Sequence, residues 1–201
     1  MADDDRTLIA RCLQGRVEAF GELVRRYQDR LYNAVYRFLG NAEDARDVVQ
    51  EAFLSAFRSL RRFRGGSQFF TWLYRIAINH AVDCKRRSKP VRALSEADQD
   101  HPKPEPADPS VFANPDWQLQ RLEEDERLQQ ALSQLSSEYR MVLILRDIDE
   151  LSYEQIADIL DIPLGTVRSR LHRARLELRR LLEQMEKDSS SSSVFAPELK
   201  R

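Results

Sequence analysis

The chain has 201 residues and a mass of 23.5 kDa, with 42% hydrophobic and 32% charged residues, enough for one or two small packed units. Two cysteines, Cys12 and Cys84, stand far apart, which excludes a disulfide scaffold, and no run reaches the ~20 apolar residues of a membrane span. The formal net charge is −1, but it is unevenly divided: residues 1–87 carry 16 basic and 11 acidic groups, residues 88–130 carry 5 and 10, and residues 131–201 carry 11 and 12.

The start, Met1-Ala-Asp-Asp-Asp-Arg6, is acidic and has no apolar leader core, so a soluble cytoplasmic protein is expected. Residues 1–87 read as one helical domain. Leu8, Leu13, Phe20, Leu23, Val24, Tyr27, Leu31, Val35 and Phe38 recur at helical spacing, and Gly40 fits the C-cap. Asn41 opens a second run through Ala45, Val48, Val49, Ala52, Phe53, Ala56 and Phe57, interrupted by a Gly65-Gly66-Ser67 loop. A third run, with Trp72, Leu73, Ile76, Ala77, Ala81 and Val82, ends in Lys85-Arg86-Arg87. Trp72 is expected in the core. No segment alternates with period two, so the fold class is all-α.

Residues 88–115 read as a flexible acidic linker. Pro90, Pro102, Pro104, Pro106, Pro109 and Pro115 recur there among few large apolar residues, too few to fold alone. A second helical domain is expected over 116–186. A disordered, serine-rich tail is expected over 187–201.

Within the second domain, residues 152–180 carry the sharpest signal. Ser152 suits a helix N-cap, and Ile156, Ala157, Ile159 and Leu160 follow as an apolar stripe. Asp161 sits where a turn wants a residue tolerant of positive φ, and Pro163 can close one helix and open the next. Val167, Leu171, Ala174 and Leu178 then share one face. Thr166, Ser169, His172 and Arg173 share the opposite face, flanked by Arg168, Arg170 and Arg175. This is the layout of a helix-turn-helix, whose second helix enters the major groove. Arginines suit both tasks there: they release counterions at phosphates and grip guanine edges bidentately.

Other chemistry is poorly provided for. His80 and Cys84 share a helix face but have no companions to complete a metal site, and no phosphate loop, nucleophile elbow or paired catalytic carboxylate occurs. No cofactor, metal or catalytic activity is expected.

The sequence resembles the bacterial sigma-70 family of RNA polymerase sigma factors, in its extracytoplasmic-function (ECF, group IV) class. Ala42-Glu-Asp-Ala-Arg-Asp-Val-Val-Gln-Glu-Ala-Phe53 and Phe69-Phe-Thr-Trp-Leu-Tyr-Arg-Ile-Ala-Ile-Asn79 are similar to the family's region 2. Leu151-Ser-Tyr-Glu-Gln-Ile-Ala157 and Ile162-Pro-Leu-Gly-Thr-Val-Arg-Ser-Arg-Leu-His-Arg-Ala-Arg175 are similar to its region 4 helix-turn-helix. The resemblance implies two small helical domains on a tether, binding core polymerase and recognising −35 and −10 promoter elements. It implies a −35 set of Thr166, Arg168, Ser169, Arg170, His172, Arg173 and Arg175. It implies a −10 set of Ser67, Gln68, Phe69, Phe70, Arg75, Asn79, Arg86 and Arg87. Asp44, Asp47, Gln50, Glu51 and Phe53 would meet the clamp coiled coil of the largest polymerase subunit, and the flap of the second-largest would also be contacted. An anti-sigma factor is an expected partner, and nucleoid association within holoenzyme an expected location.

Several positions depart from the family's pattern. Phe70 and Ile78 stand where many relatives carry basic residues, Ser136 where a proline often starts a region 4 helix, and Asp161 where the turn usually has glycine. Two rival readings are a stand-alone operator-binding regulator, with 1–87 as its ligand or dimerisation domain, and a DNA-processing enzyme.

Overall fold

The computed structural model describes residues 4–63, 65–92 and 115–192. Those residues form eight α-helices and no strand: α1 (Asp5–Leu13), α2 (Glu18–Leu39), α3 (Ala42–Ser59), α4 (Phe69–Arg92), α5 (Pro115–Gln134), α6 (Ser137–Leu143), α7 (Tyr153–Leu160) and α8 (Leu164–Ser192). A 3-10 turn covers Leu60–Arg62, and a π-helical turn follows α6 over Ile144–Ile148.

Local chemistry sets the helix ends. The Asp4 carboxylate accepts the Thr7 N–H at 2.8 Å to start α1. Gly40 takes the left-handed conformation (φ 75°) and its N–H donates to the Tyr36 carbonyl at 2.8 Å, closing α2. The next residue starts α3, for the Asn41 side chain accepts the Asp44 N–H at 2.9 Å. Two residues thus turn the chain between helices that must pack side by side.

The N-terminal unit is a bundle of α2, α3 and α4 with α1 laid against α2. Its core joins Leu23, Leu31, Val35 and Phe38 of α2, Ala45, Ala52 and Ala56 of α3, and Leu73, Tyr74, Ala77 and Ala81 of α4. The alanines let α3 approach its neighbours closely. The C-terminal unit packs α5, α6 and α7 around α8 through Leu132, Val142, Ile144, Leu145, Ile156, Val167, Leu171 and Ala174.

Boundaries differ from the expected ones. The segment 88–92 continues α4 and does not begin a linker, α5 starts at Pro115, and 187–192 continues α8 where a disordered tail was expected. Prolines within 90–115 were the signal for a linker, yet Pro115 opens a helix, where a missing N–H costs nothing. The remainder of the expected linker (93–114) and of the tail (193–201) lies outside the described residues.

The two units, expected to hang apart on a tether, pack against each other through one continuous buried cluster. The final carbonyls of α2 have no partner within their own helix. Donors from the C-terminal unit reach them: Arg140 Nη1 donates to the Phe38 carbonyl at 2.7 Å, and Gln129 Nε2 to the Arg37 carbonyl at 3.2 Å. Arg37 also pairs with Asp125 at 2.8 Å. Farther along, Arg30 of α2 donates to the Asp149 carbonyl, and the Tyr74 hydroxyl of α4 donates to the Arg30 carbonyl at 3.1 Å. The seam is imperfect. Gln129 Oε1, Arg140 Nε and Asp149 Oδ2 are buried and find no hydrogen-bond partner in the protein, a state that costs about 1–3 kcal/mol per group.

Candidate nucleic-acid interface

The helix-turn-helix forms as its sequence dictates. Ser152 and Gln155 make a reciprocal capping box, with N–H to side-chain distances of 3.2 and 2.9 Å, and start α7. Asp161 adopts φ 54° and ψ 48°, the left-handed geometry that ends α7. The Pro163 carbonyl then accepts the Thr166 and Val167 N–H groups at 2.8 and 3.1 Å as α8 begins. Val167, Leu171 and Ala174 anchor α8 in the core. That burial fixes the opposite face outward, so Arg168, Ser169, His172 and Arg173 are exposed and Thr166 is half-buried. Ser169 Oγ donates to the Thr166 carbonyl at 3.1 Å. The two flanking arginines are tied back to their own unit. Arg170 pairs with Glu138 at 2.9 Å, and Arg175 Nε donates to Asp147 at 3.0 Å. α8 therefore offers cations at its centre and orders those at its edges.

The second expected surface is built less openly. Ser67 and Gln68 are exposed in the loop that leads into α4, as are Arg75, Asn79, Arg86 and Arg87 along it. Phe69 and Phe70, expected in the −10 set, face inward at 2% and 6% exposure. Phe69 packs edge-on against Phe63, with centroids 5.8 Å apart. Phe70 lies 4.3 Å from the Tyr74 ring, with the Arg30 guanidinium 4.3 Å from its own centroid. Trp72, expected in the core, is instead half-buried against Phe63 at 5.1 Å and reaches the surface. Three aromatics in four residues fit two helical faces, and spacing alone does not choose the inner one. Trp72 packs against the core and is the most accessible of the three aromatics.

The two surfaces meet. A cleft of about 470 Å³ is lined on one side by Ser67, Thr71, Trp72 and Arg75, and on the other by Ala157, Asp158, Asp161, Ile162 and Pro163. Across it, Arg75 Nη2 lies 3.3 Å from Asp161 Oδ2, and Gln155 Nε2 donates to Gln68 Oε1 at 3.2 Å. Both pairs are exposed, so each adds at most about 1 kcal/mol.

A third surface lies within the N-terminal unit. A mainly apolar groove of about 860 Å³ runs between α2 and α3, with Val17, Phe20, Val24 and Tyr32 on one wall and Val49, Gln50, Phe53, Leu54 and Phe57 on the other. Leu54 and Phe57 remain 41% and 39% exposed. Apolar patches of this kind mark protein docking sites. Of the expected polymerase-binding set, Asp47, Gln50 and Glu51 are exposed and Asp44 is half-buried. Phe53 is 7% exposed and forms part of the groove wall, so it would meet a partner from within and not from a protruding edge.

One buried acid stands apart from these surfaces. Burial pushes the Asp149 carboxyl up to about 6, and the Tyr74 hydroxyl and the Arg30 cation only partly offset it. Sequence reasoning missed Asp149, and nothing in its neighbourhood marks it, because its burial comes entirely from tertiary packing. No cluster of three metal-ligating side chains occurs among the described residues, and no helix among them is long and apolar enough to cross a membrane. His80 contacts Ser55 Oγ at 3.2 Å.

Known proteins share this architecture. The Sigma-70 region 2 profile matches residues 23–90, and the Sigma-70, region 4 profile matches residues 125–178. The chain is 37% identical over 186 residues to the RNA polymerase sigma-H factor of Pseudomonas aeruginosa, covering 91% of this chain and 96% of that one. It is 38% identical over 175 residues to the ECF RNA polymerase sigma factor SigW of Bacillus subtilis, covering 86% and 93%. Two solved structures superpose well. CnrH, in complex with the cytosolic domain of CnrY, gives a TM-score of 0.66 at 28% identity, covering 90% of this chain and 99% of that one. The sigma factor RpoE of Bartonella quintana, in complex with the anti-sigma factor NepR, gives 0.62 at 25% identity, covering 82% and 96%.

Proposed function

The chain belongs to the sigma-70 family, in its extracytoplasmic-function class, and directs promoter-specific transcription as an RNA polymerase sigma factor; from that premise we propose how its surfaces divide the work. α8 reads the −35 element. The observation that carries this is its outward face of Arg168, Ser169, His172 and Arg173, held in place by buried Val167, Leu171 and Ala174. Arg168 and Arg173 have the reach for guanine edges, while Arg170 and Arg175, already braced by acids, hold phosphates.

α4 and the loop before it serve the −10 element. Ser67, Gln68 and Asn79 offer hydrogen bonds to base edges, Arg75, Arg86 and Arg87 hold the backbone, and Trp72 offers a stacking face. Phe69 and Phe70 shape that surface from beneath. The groove between α2 and α3 docks a helical element of core polymerase, the clamp coiled coil of its largest subunit. Apolar contact fills the groove, and Asp47 and Glu51, exposed on α3, attract basic side chains. The C-terminal unit would meet the flap of the second-largest subunit. The chain itself performs no bond chemistry, which the polymerase contributes. An anti-sigma factor is a fitting regulator, as in the RpoE complex, and the site of action is the cytoplasm, on the nucleoid once in holoenzyme.

The test is transcription in vitro with purified core polymerase and a promoter library. Specific start sites that appear only on addition of this chain support the reading. A stand-alone regulator would bind an operator duplex unaided and leave core polymerase unchanged.

A further inference from the structure

We propose that the groove between α2 and α3 seats a segment of this same chain, Ser193-Val-Phe-Ala-Pro-Glu-Leu-Lys-Arg201, with Val194 and Phe195 as the inserted pair. The seat stands on the groove and the sequence; its consequence, competition with the polymerase for that groove, rests on the docking role proposed above. The segment is marked by repetition. Ser110-Val-Phe-Ala-Asn-Pro-Asp116 and Ser193-Val-Phe-Ala-Pro-Glu198 share four residues in a row and then reach a proline followed by an acid. Within 93–114 and 193–201, the stretches that precede α5 and follow α8, Phe112 and Phe195 are the only Phe, Trp or Tyr residues, and both sit in the repeat. Neither stretch has enough apolar residues to bury an aromatic by itself. A Val-Phe pair placed twice in such company reads as an anchor for an apolar surface elsewhere.

The groove is shaped for such a pair. Its lining is aromatic: Phe20 lies edge-on to Phe53 and Phe57, with ring centroids 6.4 and 5.1 Å apart. A further ring joins such a cluster favourably at centroid separations of about 4.5–7 Å. Gly21 makes a notch in the α2 wall. It sits inside the helix without a positive φ, and a Cβ built there would meet nothing within 4 Å. Glycine inside a helix is destabilising relative to alanine, and no contact among the described residues calls for it here. An inserted side chain does. Charge selects the second copy of the repeat over the first. Glu18 and Asp29 line the groove against one cation, Arg46, and Asp47 and Glu51 are exposed on α3. Lys200 and Arg201 follow the second copy, whereas Asp108 and Asp116 flank the first. α8 and the N-terminal unit share one buried cluster, so the second copy is tethered to the body that carries the groove. A short tether raises the effective concentration to the order of millimolar, which suits a small anchor of modest affinity.

The full chain, free of polymerase, tests this through its amide resonances. Phe195→Asp should shift the amides of Gly21, Leu54 and Phe57, equally at low and high protein concentration. The free peptide Ser-Val-Phe-Ala-Pro-Glu-Leu-Lys-Arg, added to the Phe195→Asp chain, should return them towards their wild-type positions. Resonances unmoved by Phe195→Asp would overturn the seat. Shifts produced by Phe112→Asp alone would overturn it too, by giving the groove to the other copy. Shifts that grow with concentration would put a second molecule's segment in the groove and overturn the intrachain seat. The polymerase readout is separate. Phe195→Asp should raise affinity for core polymerase by about threefold or more, because a tethered competitor is lifted. Shifted amides with constant affinity would uphold the seat and overturn the groove's docking role. Core polymerase bound by neither chain would overturn the sigma reading, while the amides still decide the seat.

Discussion

The two helices proposed to face the promoter begin alike, each entered from a tight turn, yet they present opposite chemistry. α8 buries small and branched apolar residues and turns a finished row of polar side chains to solvent. α4 buries Phe69, Phe70 and Tyr74, and several of its exposed groups face the other unit. A duplex reader needs only a rigid face that enters an intact groove, so it can be built in advance. A surface that captures unpaired bases must expose adhesive aromatics, and a free protein gains by covering them until they are needed. On the proposed roles, the contrast is between an outward polar face on α8 and a surface on α4 whose aromatics are mostly buried.

The largest expected effect would break the contrast at its root. Leu171→Ala removes the anchor beneath α8 and should cost the C-terminal unit about 2–5 kcal/mol, read as a lowered Tm with −35-dependent transcription lost. Equal loss at promoters that need only the −10 element would mean that the two sites are not separable.

The packing of the two units should respond to pH in a defined direction. Packing raises the Asp149 carboxyl from 3.8 to about 6, so the packed form prefers the protonated acid. Its stabilising contribution is complete below about pH 4 and is lost as pH rises through about 6, a change of about 2–3 kcal/mol. The groups facing the carboxyl are Tyr74 from α4 and Arg30 from α2, with Glu150 beside it in the chain. Spin-label distances across the seam should therefore lengthen between pH 5 and about 7 in the wild type. Asp149→Asn should flatten that profile, and an unaltered profile would assign the response to another group.

Arg173→Ala sharpens the α8 side of the contrast. Loss of one good base contact should weaken −35 discrimination by about 1–3 kcal/mol, while binding to core polymerase stays constant. Competition between promoters with and without the cognate −35 sequence measures it. Smallest is Ser152→Ala, which removes half of the capping box and should cost about 1 kcal/mol of unfolding free energy in a denaturant titration. It should leave spin-label distances across the seam unchanged.

Much of this was legible beforehand because it depends on neighbours in the chain. The Gly40 cap, the Asn41 start, the Ser152 cap and the left-handed Asp161 turn each follow from one residue's own conformational preference. The inner face of α8 was legible because Val167, Leu171 and Ala174 leave a single apolar stripe. The start of α4 was not, since Phe69, Phe70 and Trp72 offer competing stripes and only contact with Phe63 and Arg30 chooses between them. Helix ends inside expected linker and tail were missed for a related reason: composition reports what cannot fold alone, and 88–92 and 187–192 are extensions of helices already anchored elsewhere.

By itself the sequence determined the all-α class, the helical runs that became α3, α4, α7 and α8, and the arginine-lined outer face of α8, because caps, turns and periodicity act over a few residues. Tertiary structure alone decided that the units embrace, that Arg140 reaches a carbonyl 102 positions away, and that Asp149 loses its water. Those outcomes depend on orphaned backbone groups finding donors across the fold, and no local pattern encodes which donor arrives.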